Sequence, residues 1–134
     1  MSTTSILFSR SVKSVVGIEI SPQAVRDARR LAVRNDAKNI TFLCGDCKEL
    51  LPTVRTQGRT VFFVDPPRAG LDKSVIASIR HFAPTHIVYL SCDPETLARD
   101  LRLLASDYRV TRATPYDMFP NTEHVETIVC LTRK

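Results

Sequence analysis

A chain of 134 residues has room for one domain with a modest core and little else. Its apolar and charged fractions, 43% and 25%, are those of an ordinary globular protein, and no stretch approaches the roughly 18 apolar residues of a membrane span. The formal net charge of +5 favours polyanionic partners by long-range attraction, but charge alone does not establish RNA binding.

The first eight residues carry no basic region followed by a long apolar run and a small-residue cleavage site. A cytoplasmic setting is therefore the default, and disulfides among Cys44, Cys47, Cys92 and Cys130 are not expected there. Residues 15–20, Val-Val-Gly-Ile-Glu-Ile, are a short β-branched run that predicts a strand covered on both faces. Ser21-Pro22 supplies an N-cap and a proline at the first helical position. The helix runs on through the apolar stripe Ala24, Val25, Ala28, Leu31 and Ala32 and stops near Asn35. Arg26, Arg29, Arg30 and Arg34 lie along one side of it, as a solvated face or as a site for a polyanion.

A second strand spans 40–44, and 46–54 reads as a short helix weakened by Pro52. The lone Cys44-x-x-Cys47 pair ends a strand and has no second pair or nearby histidine, so no metal site is expected. A third strand, 60–64, runs into Asp65-Pro66-Pro67, where two prolines must end the ladder. A helix over 73–82 and a strand over 86–91 follow. Asp93-Pro94 opens another helix, with Leu97, Leu101 and Leu104 on its buried side. Residues 109–114 and 125–131 close the chain as an antiparallel pair, and Cys130 reads as a buried strand residue. The fold class is α/β, a mostly parallel sheet with one reversed strand.

Ligands in such sheets bind at the carboxyl ends of the strands, which here carry Glu19, Asp46, Asp65 and Cys92. Glu19 can accept two hydrogen bonds from a ribose diol, or simply stand as an exposed charge before the next helix. Asp46 can meet an adenine or cap the helix after it. Tandem proline makes Asp65-Pro66-Pro67-Arg68 either a rigid holder for a planar base or a plain strand-terminating turn. Arg68 stands where an aromatic residue would stack on an exocyclic amine, and no cysteine follows the prolines as in cytosine-C5 chemistry. Cys92 sits between a strand end and a helix N-terminus, whose dipole favours a nucleophilic thiolate; the competing reading is a structural cysteine. In the polar segment before the last strand, Glu126 is a candidate general base. His124 could orient a phosphate or another side chain, or be merely structural.

Three ordered segments, Asp65-Pro66-Pro67-Arg68-Ala69-Gly70-Leu71, the run from Ser91-Cys92-Asp93-Pro94 to Leu101, and the run from Asp117 to Glu126, resemble the tRNA/rRNA uracil-5 methyltransferases. Val16-Gly17-Ile18-Glu19 is similar to that family's cofactor-ribose strand, and the likeness extends from about residue 11 to residue 134. The resemblance implies a Rossmann-like class I S-adenosylmethionine methyltransferase. It also implies that S-adenosyl-L-methionine is the cofactor, contacted by Glu19, Asp65 and Asp46, and that tRNA or rRNA is the substrate, contacted by Pro66, Arg68 and His124. Cys92 then adds to C6 of a uridine, the activated C5 takes the methyl group, and Glu126 removes the C5 proton so that the thiolate can leave. A uridine held in a stack would have to flip out.

The family's first strand and glycine-rich loop would precede Val15, and only 14 residues stand there, with no glycine among them. Residues 6–8 resemble the remainder of the helix after that loop. The resemblance thus implies that residues 1–134 are a partial catalytic domain whose lost strand would lie centrally in the sheet. Such a chain would bind cofactor weakly by itself, would pair with a fragment supplying the start, or would be a catalytically incomplete remnant that binds RNA or a partner protein.

Overall fold

The computed structural model describes residues 2–118, 121 and 125–134. They divide into two compact units, Met1–Val54 and Arg55–Lys134, each with its own sheet.

In the first unit, helix α1 (Ser2–Ser9) precedes strand β1 (Val15–Glu19), helix α2 (Pro22–Arg34) and strand β2 (Ile40–Cys44). Ser21 caps α2 as expected, its side chain accepting from the Ala24 amide, and Pro22 begins the helix. The apolar stripe of α2 buries Val25, Ala28 and Ala32 against Phe42 of β2. β1 and β2 are parallel, with Gly17 opposite Phe42. A Cβ on Gly17 would come 2.9 Å from the Phe42 ring, so glycine is what lets the ring lie on the strand. Asn39 holds the turn after α1, its side-chain amide donating to the Ser9 and Val12 carbonyls at 2.8 and 3.0 Å.

Two expectations need correction in this unit. β1 is not covered on both faces, since Val16 is 40% exposed and β2 is its one strand neighbour among the described residues. The helix expected over 46–54 is one α-helical turn, α3 (Cys47–Leu50), followed by a 3-10 turn at Leu51–Thr53. Pro52 has no amide to donate to the preceding turn, so the α-helical ladder cannot pass through it.

The second unit holds strand β3 (Val61–Val64), helix α4 (Lys73–Phe82), strand β4 (His86–Ser91), helix α5 (Pro94–Leu104), and strands β5 (Tyr108–Tyr116) and β6 (Glu126–Arg133). The sheet order is β3-β4-β6-β5. β3 and β4 are parallel, whereas β6 runs antiparallel to both β4 and β5, so the last strand is the reversed one. The alternation expected of a half-covered strand is clear in β4, where Ile87, Tyr89 and Ser91 are buried. They join Val129 and Leu131 of β6, Val75, Ile76 and Ile79 of α4, and Leu97 and Leu104 of α5 in the interior.

α4 and α5 begin at Asp72 and Asp93, each a side-chain cap for the first free amides. A bulge between Val110 and Arg112 lets β5 bend along its exposed edge. Cys130 is only partly buried, which corrects the expectation of a fully buried strand residue. Its neighbours Val129 and Leu131 point to the covered face, and strand alternation turns Cys130 to the other.

Candidate active site

In the first unit, Glu19 ends β1 and is half-buried. Its Oε1 accepts from the Ser21 amide at 2.9 Å, fastening the turn into α2, and its carbonyl accepts from the Gly45 amide at 3.0 Å. Asp46 is the N-cap of α3, accepting from the Lys48 amide at 3.0 Å while its other oxygen faces the Lys48 ammonium at 3.4 Å. Cys44 and Cys47 are unbridged and exposed as whole residues, but partial desolvation of the Cys47 sulfur, with the Asp46 charge beside it, pushes that thiol up. No cluster of metal-binding side chains occurs among the described residues.

In the second unit, strand register does the assembling. Ser91 pairs with Thr127, the last rung between β4 and β6. Cys92 follows Ser91 directly and Glu126 precedes Thr127 directly, so both stand next to this last rung, and Glu126 is itself paired with Tyr116 of β5. Glu126 and the exposed phenol of Tyr116 thus share a face of the sheet at the end where β4 runs out into Cys92. β3 ends level with Tyr89 of β4, which brings Asp65 to the same end of this sheet. Cys92 and Glu126 are both half-buried, and Asp65 and Arg68 are exposed. His124, like Phe119, Pro120, Thr122 and Glu123, lies outside the described residues.

Helix α5 grips the loop that carries Pro66 and Arg68. Thr96 Oγ1 donates to the Arg68 carbonyl at 2.9 Å. Arg99 Nη2 donates to the carbonyls of Ala69 and Leu71 at 2.9 and 3.2 Å and to Asp100 Oδ1 at 2.7 Å, with Arg99 Nε on the same oxygen at 2.9 Å. Asp100 is fully buried, and its Oδ2 accepts from the Leu71 amide at 2.7 Å and the Tyr89 hydroxyl at 2.6 Å. Gly70 closes the loop with its amide on the Pro67 carbonyl at 2.8 Å and φ of 75°. A Cβ there would come 2.5 Å from Arg99 Nη2 and 2.7 Å from Asp100 Oδ2, so the loop can be held this closely only at a glycine.

The start of α5 is equally tied down. Ser91 Oγ donates to the Asp93 carbonyl and accepts from the Asp93 amide, at 2.8 and 3.1 Å. The amides of Thr96 and Glu95, with the Arg68 charge nearby, hold the Asp93 carboxyl below the usual carboxylate range against partial desolvation. Cys92 is thereby fixed between two bonded residues.

The sequence reading had assigned no role to Tyr89, Thr96, Arg99 or Asp100. One signal was available: Asp100 stands three residues after Leu97 and four before Leu104, on the apolar stripe of α5, where a carboxylate has no reason to be unless it is bonded.

Burial, the bond to Asp100 and that residue's charge push the Tyr89 hydroxyl far above the usual tyrosine range, with Arg99 partly opposing them. Tyrosines of the unfolded chain ionise near about pH 10 while Tyr89 in the fold keeps its proton. The unfolded state then binds fewer protons, so stability falls as pH rises above that point. We expect the urea midpoint to drop as pH rises above about 10, and less steeply in Tyr89→Phe. Some slope remains in that variant, because burial also raises Tyr108. Equal slopes in the two proteins would sink this assignment.

The model of the tRNA (uracil-5-)-methyltransferase family matches residues 2–134. A protein of Staphylococcus epidermidis named as an uncharacterized RNA methyltransferase is 40% identical over 134 residues, covering 98% of this chain and 29% of the relative. One from Porphyromonas gingivalis, named likewise, is 48% identical over 124 residues, covering 89% of this chain and 27% of the relative. Among solved structures, the Pyrococcus abyssi tRNA (uracil-54, C5)-methyltransferase in complex with S-adenosyl-L-homocysteine superposes with a TM-score of 0.82 at 35% identity, over 95% of this chain and 31% of that one. The Geobacter metallireducens precorrin-6y C5,15-methyltransferase, at 16% identity and a TM-score of 0.71 over 98% of this chain and 76% of that one, shares the methyltransferase fold. The chain thus spans under a third of the length of the RNA methyltransferases it matches.

Proposed function

The chain belongs to the tRNA (uracil-5-)-methyltransferase family, and from that premise we propose that it forms part of a catalytic domain that methylates C5 of a uridine in tRNA or rRNA. The observation that supports this reading is the Ser91–Thr127 rung, which brings the neighbouring Cys92 and Glu126 to the sheet end where Asp65 also lies. The Cys92 thiolate adds to C6 of the uracil, and the ring's electron pair passes to C5 and the adjacent carbonyl oxygen. When bound, S-adenosylmethionine supplies an electrophilic methyl group to that carbon. Glu126 then takes the C5 proton, the electron pair re-forms the C5–C6 double bond, and the carbon–sulfur bond breaks to return the thiolate.

The residues suit the cofactor unequally. Glu19 spends Oε1 on the Ser21 amide, which leaves Oε2 for a ribose hydroxyl. Asp65 is exposed at its strand end and has both oxygens to offer. Asp46 is occupied as a cap and by Lys48, so it has the least to give. Pro66 and Arg68 are the substrate-side residues of the loop, and His124 is a third by family resemblance alone. The exposed arginines of α2 and the net charge of +5 favour an RNA partner. No helix among the described residues is long and apolar enough to cross a membrane, and a cytoplasmic setting suits an RNA substrate.

Replacement of the C5 hydrogen gives a direct test. Unmodified tRNA transcribed with 5-tritiated uridine, incubated with S-adenosylmethionine and the protein expressed from its complete reading frame, should release tritium into water in step with methyl incorporation. Methyl incorporation without tritium release would place the reaction at another atom. Neither signal would favour a catalytically incomplete methyltransferase-like protein.

A further inference from the structure

Asp100 is poorly explained by stability. It is fully buried on the apolar stripe of α5, between Leu97 and Leu104, where an aliphatic side chain would complete the packing. Burying a carboxylate carries a desolvation cost that its bonds must offset, and a well-packed hydrophobic replacement is often no less stable. What an aliphatic residue cannot do is hold a backbone. Both carboxylate oxygens are used, one on Arg99 and the other on the Leu71 amide and the Tyr89 hydroxyl. Arg99 in turn reaches the carbonyls of Ala69 and Leu71, and Thr96 takes that of Arg68. The contacts of Thr96, Arg99 and Asp100 with residues 68, 69 and 71 of the loop are therefore polar and directional.

We propose that Asp100 and Arg99 are positioning residues: together they mount the loop carrying Pro66 and Arg68 onto the helix whose N-terminus follows Cys92, so that the base-holding loop and the nucleophile keep one fixed separation. This rests on the functional reading above and adds to it. The geometry explains three features at once. Gly70 is required because any side chain would strike the clamp. Tyr89 anchors the clamp to β4, the strand that leads into Cys92. Ser91 and Asp93 brace the link between that strand and α5. Displacing a substrate-holding group by about 1 Å can cost on the order of 100-fold in rate, so such a mount matters to the reaction out of proportion to its energy.

Arg99→Lys is the informative variant. Arg99 is half exposed, so the charge survives without a folding penalty, but an ammonium cannot serve Asp100 and two carbonyls with the planar fork of a guanidinium. In tritium release from unmodified tRNA, kcat should fall about 10- to 100-fold while KM for the tRNA changes by less than about threefold. Hydrogen exchange should show the Leu71 amide opening faster, with the β4 and β6 amides unchanged. Asp100→Asn, which keeps an acceptor but loses the charge that orders Arg99, should shift both readouts in the same direction. A folded Arg99→Lys protein with wild-type kcat would overturn the inference alone, as would unaltered exchange at Leu71. A wild-type protein that releases no tritium would overturn the functional reading and this inference with it.

Discussion

Cys92→Ala should leave a folded protein whose methyl transfer to uridine is lost, by at least about a thousandfold and up to about a millionfold. The size follows from the ring chemistry. C5 of uracil does not attack an electrophilic methyl group until a nucleophile has added at C6, the step proposed for the Cys92 thiolate. Glu126 is a weaker nucleophile, and the proposed mechanism uses it for another step. The fold should survive, because Cys92 is only half-buried and its strand end and helix start are held by Ser91 and Asp93. Cys92→Ser should be equally inactive, since a hydroxyl has almost no anion to offer at neutral pH. Circular dichroism and the urea midpoint check the fold, and tritium release checks the chemistry. Residual turnover in Cys92→Ala above about a tenth of wild type would remove the covalent mechanism.

Glu126→Gln has a different expected outcome, which separates the two roles. The amide is isosteric, so β6 keeps its rungs to Tyr116 and Thr127's rung to Ser91 is undisturbed. Addition of Cys92 to C6 and arrival of the methyl at C5 need no proton acceptor at residue 126, but release does. Turnover should fall by about 100- to 10,000-fold. The methylated ring should remain joined to Cys92, so that ordinary uridine RNA migrates with the protein on a denaturing gel. That adduct should be absent in Cys92→Ala and in the double variant. A Glu126→Gln protein that turns over normally would assign proton removal elsewhere.

Much of this site was legible before any coordinates. Ser21-Pro22 and Asp93-Pro94 each announce a cap and a first helical turn, and α2 and α5 begin there. The paired prolines after Asp65 end β3 where they must. The position of β6 between β4 and β5, which brings Glu126 to the end of β4, was not readable from local pattern, because it is a long-range pairing that no periodicity encodes. The same limit hid Asp100: its helical position is apparent from spacing, but its partners at residues 69–71 and 89 come from elsewhere in the chain. Asp46 shows the reverse, a strand-end carboxylate whose nearest use is the local amide two residues ahead.

The proposed covalent bond joins one sulfur to one ring carbon, and it can be weighed. RNA containing 5-fluorouridine has no C5 proton for Glu126 to remove, so the methylated adduct cannot resolve. After incubation with S-adenosylmethionine and digestion, mass spectrometry should find a methylated 5-fluorouridine on the peptide containing Cys92, with Cys44, Cys47 and Cys130 unmodified. Methyl transfer to uridine RNA accompanied by no adduct, or by an adduct on any other cysteine, would contradict it.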